Sequence, residues 1–216
     1  QAAGAGAPTG VSEGEVPDRD WFASRTGVSR ETLERFELWR RRLEETNAHT
    51  NLVGRSTLSE FWGRHAFDSW QLLDLAPGAA RWADLGAGAG FPGLALAFGL
   101  MDREVPDARV TCVESVAKKA AFIRAVAAAT QAPVTVCAER AERLDPAPVA
   151  DVVTARAMAP LPKLLGYVDP FVENGAVALL PKGARHGEEL TAARKSWTFD
   201  VDVIPSATAP EAAILR

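Results

Sequence analysis

Apolar positions along this 216-residue chain change rhythm near residue 80, and the change divides it. Upstream, Leu33, Phe36, Trp39, Arg40 and Leu43 fall near helical spacing, a stripe with one charged interruption, and Ser29 is placed to cap it. A second helix is predicted from Thr57-Leu58-Ser59-Glu60, a capping-box pattern whose two ends satisfy each other's orphan amides. Its stripe runs Leu58, Phe61, Trp62, His65, Ser69, Leu72, Leu73, with Asn47, Asn51 and Gly54 marking the loop before it. From Ala80 short apolar runs alternate with helical ones. RWADL, ARVTCVE, APVTVCAE, ADVVTA and GAVALLP read as strands; AKKAAFIRAVAAAT, PLPKLLGYVDPF and HGEELTAARKSW read as helices between them. Strands apolar throughout are buried on both faces, as in a parallel sheet wrapped by helices. FDVDVI and EAAILR add late strands, an antiparallel pair. The predicted architecture is α/β: a doubly wound sheet over 79–216 with an N-terminal helical cap over 18–78. Residues 1–17, small, polar and unpatterned, read as a disordered tail, in part an engineered remnant because the first residue is not methionine.

Composition narrows the class. A hydrophobic fraction of 47% with 24% charged residues is that of an ordinary globular protein. No apolar run reaches the roughly 18 residues that span a bilayer, and the first residues lack a signal-peptide layout. Cys112 and Cys137 both lie in strand-like runs, so buried thiols in a reducing cytoplasm are expected rather than a disulfide. No CxxC occurs and the histidines are scattered, so no metal site is expected. With a net charge of −4 a global basic field is excluded, and a polyanion would need a local patch.

The candidate chemistry sits where the first strand ends, in DLGAGAGFPG. Ligands of such sheets bind beyond the strand carboxyl ends, near the reversal of strand order. Gly86, Gly88 and Gly90 clear the backbone there, and Pro92 suits the start of the following helix. Gly88, Gly90 and Gly93 also satisfy GxGxxG, so a dinucleotide stays open. Two features favour S-adenosylmethionine. Asp84 would face a pyrophosphate unfavourably but can pair with a cationic aminoacyl group, and the glycines begin directly at the strand end. Glu114, ending the second strand, can accept from both hydroxyls of a ribose. Glu142 after the third can accept from an adenine amino group, and Arg156 closes the fourth.

These residues, with Asn47 to Leu52 (NxxxNL), RHAFDS (Arg64 to Ser69), VESVAKKAAFIR, RAE, TARAMAPL and Lys182-Gly183, resemble the RsmG (GidB) family of small-subunit ribosomal RNA guanine-N7 methyltransferases. The resemblance covers about residues 30 to 216. It implies a Rossmann-like S-adenosylmethionine-dependent methyltransferase sheet and cofactor contacts at Gly86, Phe91, Ala141, Glu142 and Arg156. The implied substrate is 16S rRNA or the small ribosomal subunit, methylated in the decoding-region loop; the protein itself is expected to be a monomer. Guanine N7 carries an in-plane lone pair at neutral pH, so catalysis by positioning is expected, with no general base. That agrees with a sequence lacking any triad or carboxylate dyad. A methyltransferase of small molecules or proteins, and a cofactor-binding RNA-associated protein without transfer activity, are the alternatives. Arg64, His65, Lys118 and Lys182 are the candidate RNA contacts, while Phe91 and Trp62 either stack on a base or fill core.

Overall fold

A computed structural model describes residues 17–216; all but the last residue of the expected tail lies outside that range. Strands β1 (Arg81–Leu85), β2 (Arg109–Val113), β3 (Val134–Cys137), β4 (Val152–Thr154), β5 (Val177–Lys182), β6 (Val203–Pro205) and β7 (Ala213–Leu215) form one sheet in the order β3-β2-β1-β4-β5-β7-β6. The first five are mutually parallel, and β7 runs antiparallel to both its neighbours. Strand order reverses between β1 and β4, which sets the ligand-binding crevice at their carboxyl ends.

Each face of the sheet has its own core. Helices α5 (Gly93–Asp102) and α6 (Ala117–Thr130) cover one, burying Leu94, Phe98, Ile123 and Val126. Helices α7 (Leu161–Glu173) and α8 (His186–Ala193) cover the other with Leu161, Leu164, Val168, Phe171 and Ala193. The cap lies over α5 and α6. Helix α2 (Arg30–Asn47) has the predicted cap, Ser29 Oγ accepting the Thr32 N–H at 3.2 Å, and buries Leu33, Phe36, Trp39 and Leu43. Phe36 meets Phe22, Trp62, Trp70 and Phe98 with ring centroids 4.8–6.4 Å apart. Cap and sheet thus share one apolar cluster.

The structure differs from the sequence reading in two parts of the cap. Helix α1 (Arg19–Thr26) precedes α2, with Asp18 accepting the Trp21 N–H at 2.8 Å and Gly27 ending it in the left-handed region. The predicted capping box is absent. Thr57–Glu60 lie inside a 3₁₀ stretch, Arg55–Glu60, where Thr57 Oγ1 donates back to the Gly54 carbonyl at 2.8 Å. The chain then widens into π-helical turns over Phe61–Phe67 before the short helices α3 (Asp68–Trp70) and α4 (Leu72–Leu75). Phe61, Trp62, Ala66 and Phe67 are all buried, more than one narrow helix face can seal, and the wider turn spreads them around the cap. Both cysteines are free; Cys112 is buried as expected, but Cys137, on the outermost strand β3, is half-exposed.

Candidate cofactor and substrate site

Two carboxylates pin the glycine turn after β1. The Gly93 N–H donates to Asp84 Oδ2 at 2.8 Å, and the Gly88 N–H donates to Glu114 Oε2 at 2.8 Å. Glu114 Oε1 accepts the Val116 N–H at 2.7 Å, so this one side chain ties the turn to the start of α6. The Gly86 and Ala87 N–H groups both donate to the Val113 carbonyl, folding the turn onto β2. Gly88 has φ +58°, and a Cβ there would meet nothing nearer than the Gly86 carbonyl at 3.9 Å: its outer face is open. Gly90 and Gly93 serve packing instead. A Cβ on Gly90 would strike Leu94, and one on Gly93 would strike Cys112 and Asp84.

Asp84 has no exposed surface. The sequence reading pairs it directly with a cationic ligand; the structure places it beneath the turn, in register with Cys112 on β2 and Thr154 on β4. Burial pushes its pKa up to about 7, against the Gly93 N–H and the Arg156 charge, which favour ionisation. Asp84 Oδ1 and Thr154 Oγ1 are buried without hydrogen-bond partners. Burial also pushes the Cys112 thiol well up.

Two cavities open at the strand ends. The smaller, ≈ 250 Å³, is lined by Gly86, Glu114, Ala141 and Glu142 together with Arg140, Lys163 and Tyr167. The larger, a cleft of ≈ 1210 Å³ between cap and sheet, is lined by Arg64, His65, Asp68, Arg156 and Lys182. Of the residues expected at the cofactor, Gly86, Glu114, Ala141 and Glu142 line the smaller cavity, Arg156 lines the larger, and Asp84, Gly88, Gly90 and Phe91 line neither; of those expected at RNA, Arg64, His65 and Lys182 line the larger. Met158 and Ala159 line both. Glu142 accepts from Tyr167 Oη at 3.1 Å, and its own backbone N–H, followed by that hydroxyl, lowers its pKa.

Arg156 is the hub between cap and sheet. Its Nη1 donates to the Arg64 carbonyl at 3.0 Å and to Asp68 Oδ2 at 3.3 Å, and its Nη2 meets His65 Nδ1 at 3.0 Å. A guanidinium can only donate, so Nδ1 accepts and the neutral ring carries its proton on Nε2. Burial first, then the Arg156 and Arg64 charges, lower the His65 pKa to about 3. Asp68 Oδ1 accepts from Gln71 and Thr208 at 3.0 and 2.8 Å. Arg64, His65 and Asp68, read from the sequence as RHAFDS, thus converge on one guanidinium 92, 91 and 88 residues away.

The other expected contacts separate. Phe91 is buried in a stack, 4.2 Å from Trp39 at 30° and 4.7 Å from His65 at 29°, with Arg156 over its ring at 5.2 Å. Its side chain lines neither cavity and offers no free face to a base; Trp62 is core as well. Lys182 is committed, donating to the Ala159 carbonyl at 3.0 Å and to Glu189 Oε2 at 2.8 Å, so it holds the β4–α7 loop rather than facing a phosphate. Glu189 also accepts the Leu161 N–H at 2.7 Å. Burial raises the Glu189 pKa, but these two donors outweigh it and leave it lowered. Arg64 is exposed and paired with Glu60 at 2.9 Å. Lys118 is exposed on α6 and lines neither cavity. Sequence reasoning missed Met158 and Tyr167. The strand-end position of ARAMAP was the available signal for the first, and nothing marked the second. Among the described residues no helix is long and apolar enough to cross a membrane, and no His, Cys, Asp and Glu side chains group as metal ligands.

A doubly wound sheet with a cleared first turn and strand-end carboxylates is the arrangement of S-adenosylmethionine-dependent methyltransferases. The fold is shared with cofactor-bound Rv0187 from MTB (TM-score 0.59, 18% identity, 94% of this chain and 97% of that one). It is shared too with the O-methyltransferase TomG from Streptomyces achromogenes in complex with SAM (TM-score 0.58, 16% identity, 91% and 93%). Residues 32–214 match the GidB family, rRNA small subunit methyltransferase G, and the chain belongs to that family. Curated relatives named ribosomal RNA small subunit methyltransferase G include one from Methylobacterium sp. (strain 4-46), 48% identical over 92% of this chain and 94% of that one. Another, from Rhodospirillum centenum, is 48% identical over 90% and 88%.

Proposed function

We propose that this protein transfers the methyl group of S-adenosylmethionine to N7 of a guanine in 16S rRNA, acting on the small subunit or its RNA. The observation that carries the reading is the sorting of the site: a carboxylate-lined cavity at the glycine turn and a wider cleft under the cap, meeting at the β4–α7 loop. The residues fit the cofactor. Glu114 and Glu142 present acceptors for ribose and adenine, Ala141 lies beside them, and the open face of Gly88 lets a ligand lie against the main chain. Arg156, in the adjoining cleft and with its charge acting on Asp84 beneath the turn, is the cation offered to an α-carboxylate. Asp84 works from beneath, setting the start of α5. Phe91 supports Arg156 and His65 by stacking.

When bound, the sulfonium supplies an already activated methyl group. Transfer of that methyl group to an in-plane lone pair would release no proton, so the chain need supply no base. What the chain must do is align the reactants and exclude water. His65, neutral and turned onto Arg156, is not needed as a base. The cleft suits an unstacked base rather than a duplex. Lys182 is nearly buried and paired with Glu189, so phosphate contacts fall to the exposed cations of the cleft, Arg64 and Arg185.

Incubation with methyl-labelled cofactor and unmethylated small subunits, followed by RNA digestion, is expected to place label in 7-methylguanosine. Label in another nucleoside, or none despite bound cofactor, rejects the assignment. A second prediction concerns Gly88. In Gly88→Val the left-handed φ costs about 1–2 kcal/mol and the side chain fills the open face. Binding of S-adenosylhomocysteine, read by calorimetry, should be lost while circular dichroism still reports a folded protein. Undiminished binding would refute the placement of the cofactor on this turn.

A further inference from the structure

Met158 and Ala159 form the wall between the two cavities, and Met158 is its one long side chain. Met158 lies over the strand end so closely that a Cβ on Gly86 would sit 2.9 Å from its Cγ and 3.3 Å from its Sδ. The loop carrying it is fixed on both sides: Arg156 is gripped by the Arg64 carbonyl, His65 and Asp68, and the Ala159 carbonyl accepts from Lys182 at 3.0 Å. Between these anchors Ala157 holds φ +53°, an unusual value for a residue with a Cβ. Met158, partly buried against the second core, is held in this loop by packing alone.

On the reading above, Glu114 and Glu142 take the nucleoside end of the cofactor in the smaller cavity, while Arg156 lies in the cleft. A cofactor that reaches from Glu142 in one cavity to Arg156 in the other passes Met158, and its sulfur, between the two ends, falls there. A flexible, polarisable thioether suits that place: it can change rotamer cheaply and pack against a sulfonium without bringing water or charge. An in-line transfer needs the acceptor on the far side of the methyl carbon, which is the cleft side of the same wall.

We propose that Met158 is the positioning residue of the transfer. Its side chain leaves Gly86 when the cofactor enters and then packs beside the sulfonium, holding the methyl group toward a base seated in the cleft. This rests on the cofactor placement proposed above.

The chain has two methionines, Met101 and Met158. With methionine methyl groups labelled by carbon-13, the Met158 resonance is identified by its absence in Met158→Leu. Adding S-adenosylhomocysteine should shift that resonance and leave Met101, on the distal end of α5, nearly unmoved. In Met158→Ala, kcat for small-subunit methylation should fall about 10- to 100-fold, the cost of a misplaced reactant, with Kd for S-adenosylhomocysteine held within about threefold. Met158→Leu, which conserves volume, should recover most of the rate. An unmoved Met158 resonance at saturating ligand, or wild-type turnover in Met158→Ala, overturns the proposal while leaving the cofactor site intact. Failure of the wild-type protein to bind S-adenosylhomocysteine overturns the cofactor placement itself, and the proposal with it.

Discussion

Arg156→Ala is expected to be the most damaging single change at the junction of cap and sheet, lowering stability by on the order of 3 kcal/mol. It strips donors from the Arg64 carbonyl, His65 Nδ1 and Asp68 Oδ2 at once. The Asp68 side chain is only 18% exposed, so water replaces the lost guanidinium poorly. Removing one partner of a largely buried pair costs far more than the pair contributes net, because the other charge stays behind. For a chain of this size that cost corresponds to a melting shift of roughly 6–12 °C. Arg156→Lys should recover little of it, since an ammonium cannot serve three acceptors across a planar fork. Arg64→Ala is the discriminating control. Arg64 contributes its carbonyl to the hub, which any residue supplies, while its own side chain, 62% exposed, pairs with Glu60. Its loss should cost less than about 0.5 kcal/mol. Equal melting shifts in the Arg156 and Arg64 variants would show that the hub contributes nothing special.

The second large effect is concealed in the wild-type protein. Asp84 ionises near 3.8 when unfolded and at about 7 when folded, so the native state holds its proton longer. Stability then falls as pH rises through that window. His65 titrates near 6.5 when unfolded and at about 3 when folded, so the unfolded chain takes the proton first. Stability then falls as pH drops below 6.5. Between about pH 4 and 6.5 the two slopes oppose each other, each on the order of 3 kcal/mol across the interval. Urea denaturation should therefore find wild-type stability nearly flat there. Asp84→Asn, which keeps an acceptor for Gly93, should gain stability relative to wild type as pH rises. His65→Gln, which keeps an acceptor for Arg156, should gain as pH falls. Parallel curves for all three proteins would mean that neither group is perturbed as its burial demands. At the acid end Glu37 and Asp151, both lowered by their arginine partners, add a common loss.

How much of this was legible in the sequence depended on whether the signal was local. Strand β1 is RWADL and helix α6 is AKKAAFIRAVAAAT, both with the predicted limits, because period and turn residues bound them on each side. The antiparallel pairing of the late strands was likewise readable. Helix α1 was not, since its buried residues, Trp21 and Phe22, are adjacent and make no period. Only Asp18 and Gly27, a cap at either end, betrayed it. In the site, the glycine turn announced its place, but side-chain assignments needed partners that only folding supplies. Lys182 reads as a free cation until Glu189 swings back from α8. Phe91 reads as a stacking platform until Trp39, His65 and Arg156 pack against its ring. RHAFDS reads as a helix pattern and becomes a socket only when Arg156 arrives.

The order β5-β7-β6 has a consequence for how the sheet assembles. Strands β5 and β6 follow one another in the chain yet do not pair; β5, bound to β4 on its other side, and β6 are joined through β7, which comes later than both. Neither can complete its ladder on that side until β7 threads between them, so this edge closes in a single late event rather than by zipping outward. Amide hydrogen exchange should see β6 and β7 open together, while the β1–β4 centre, built from earlier crossovers, stays protected.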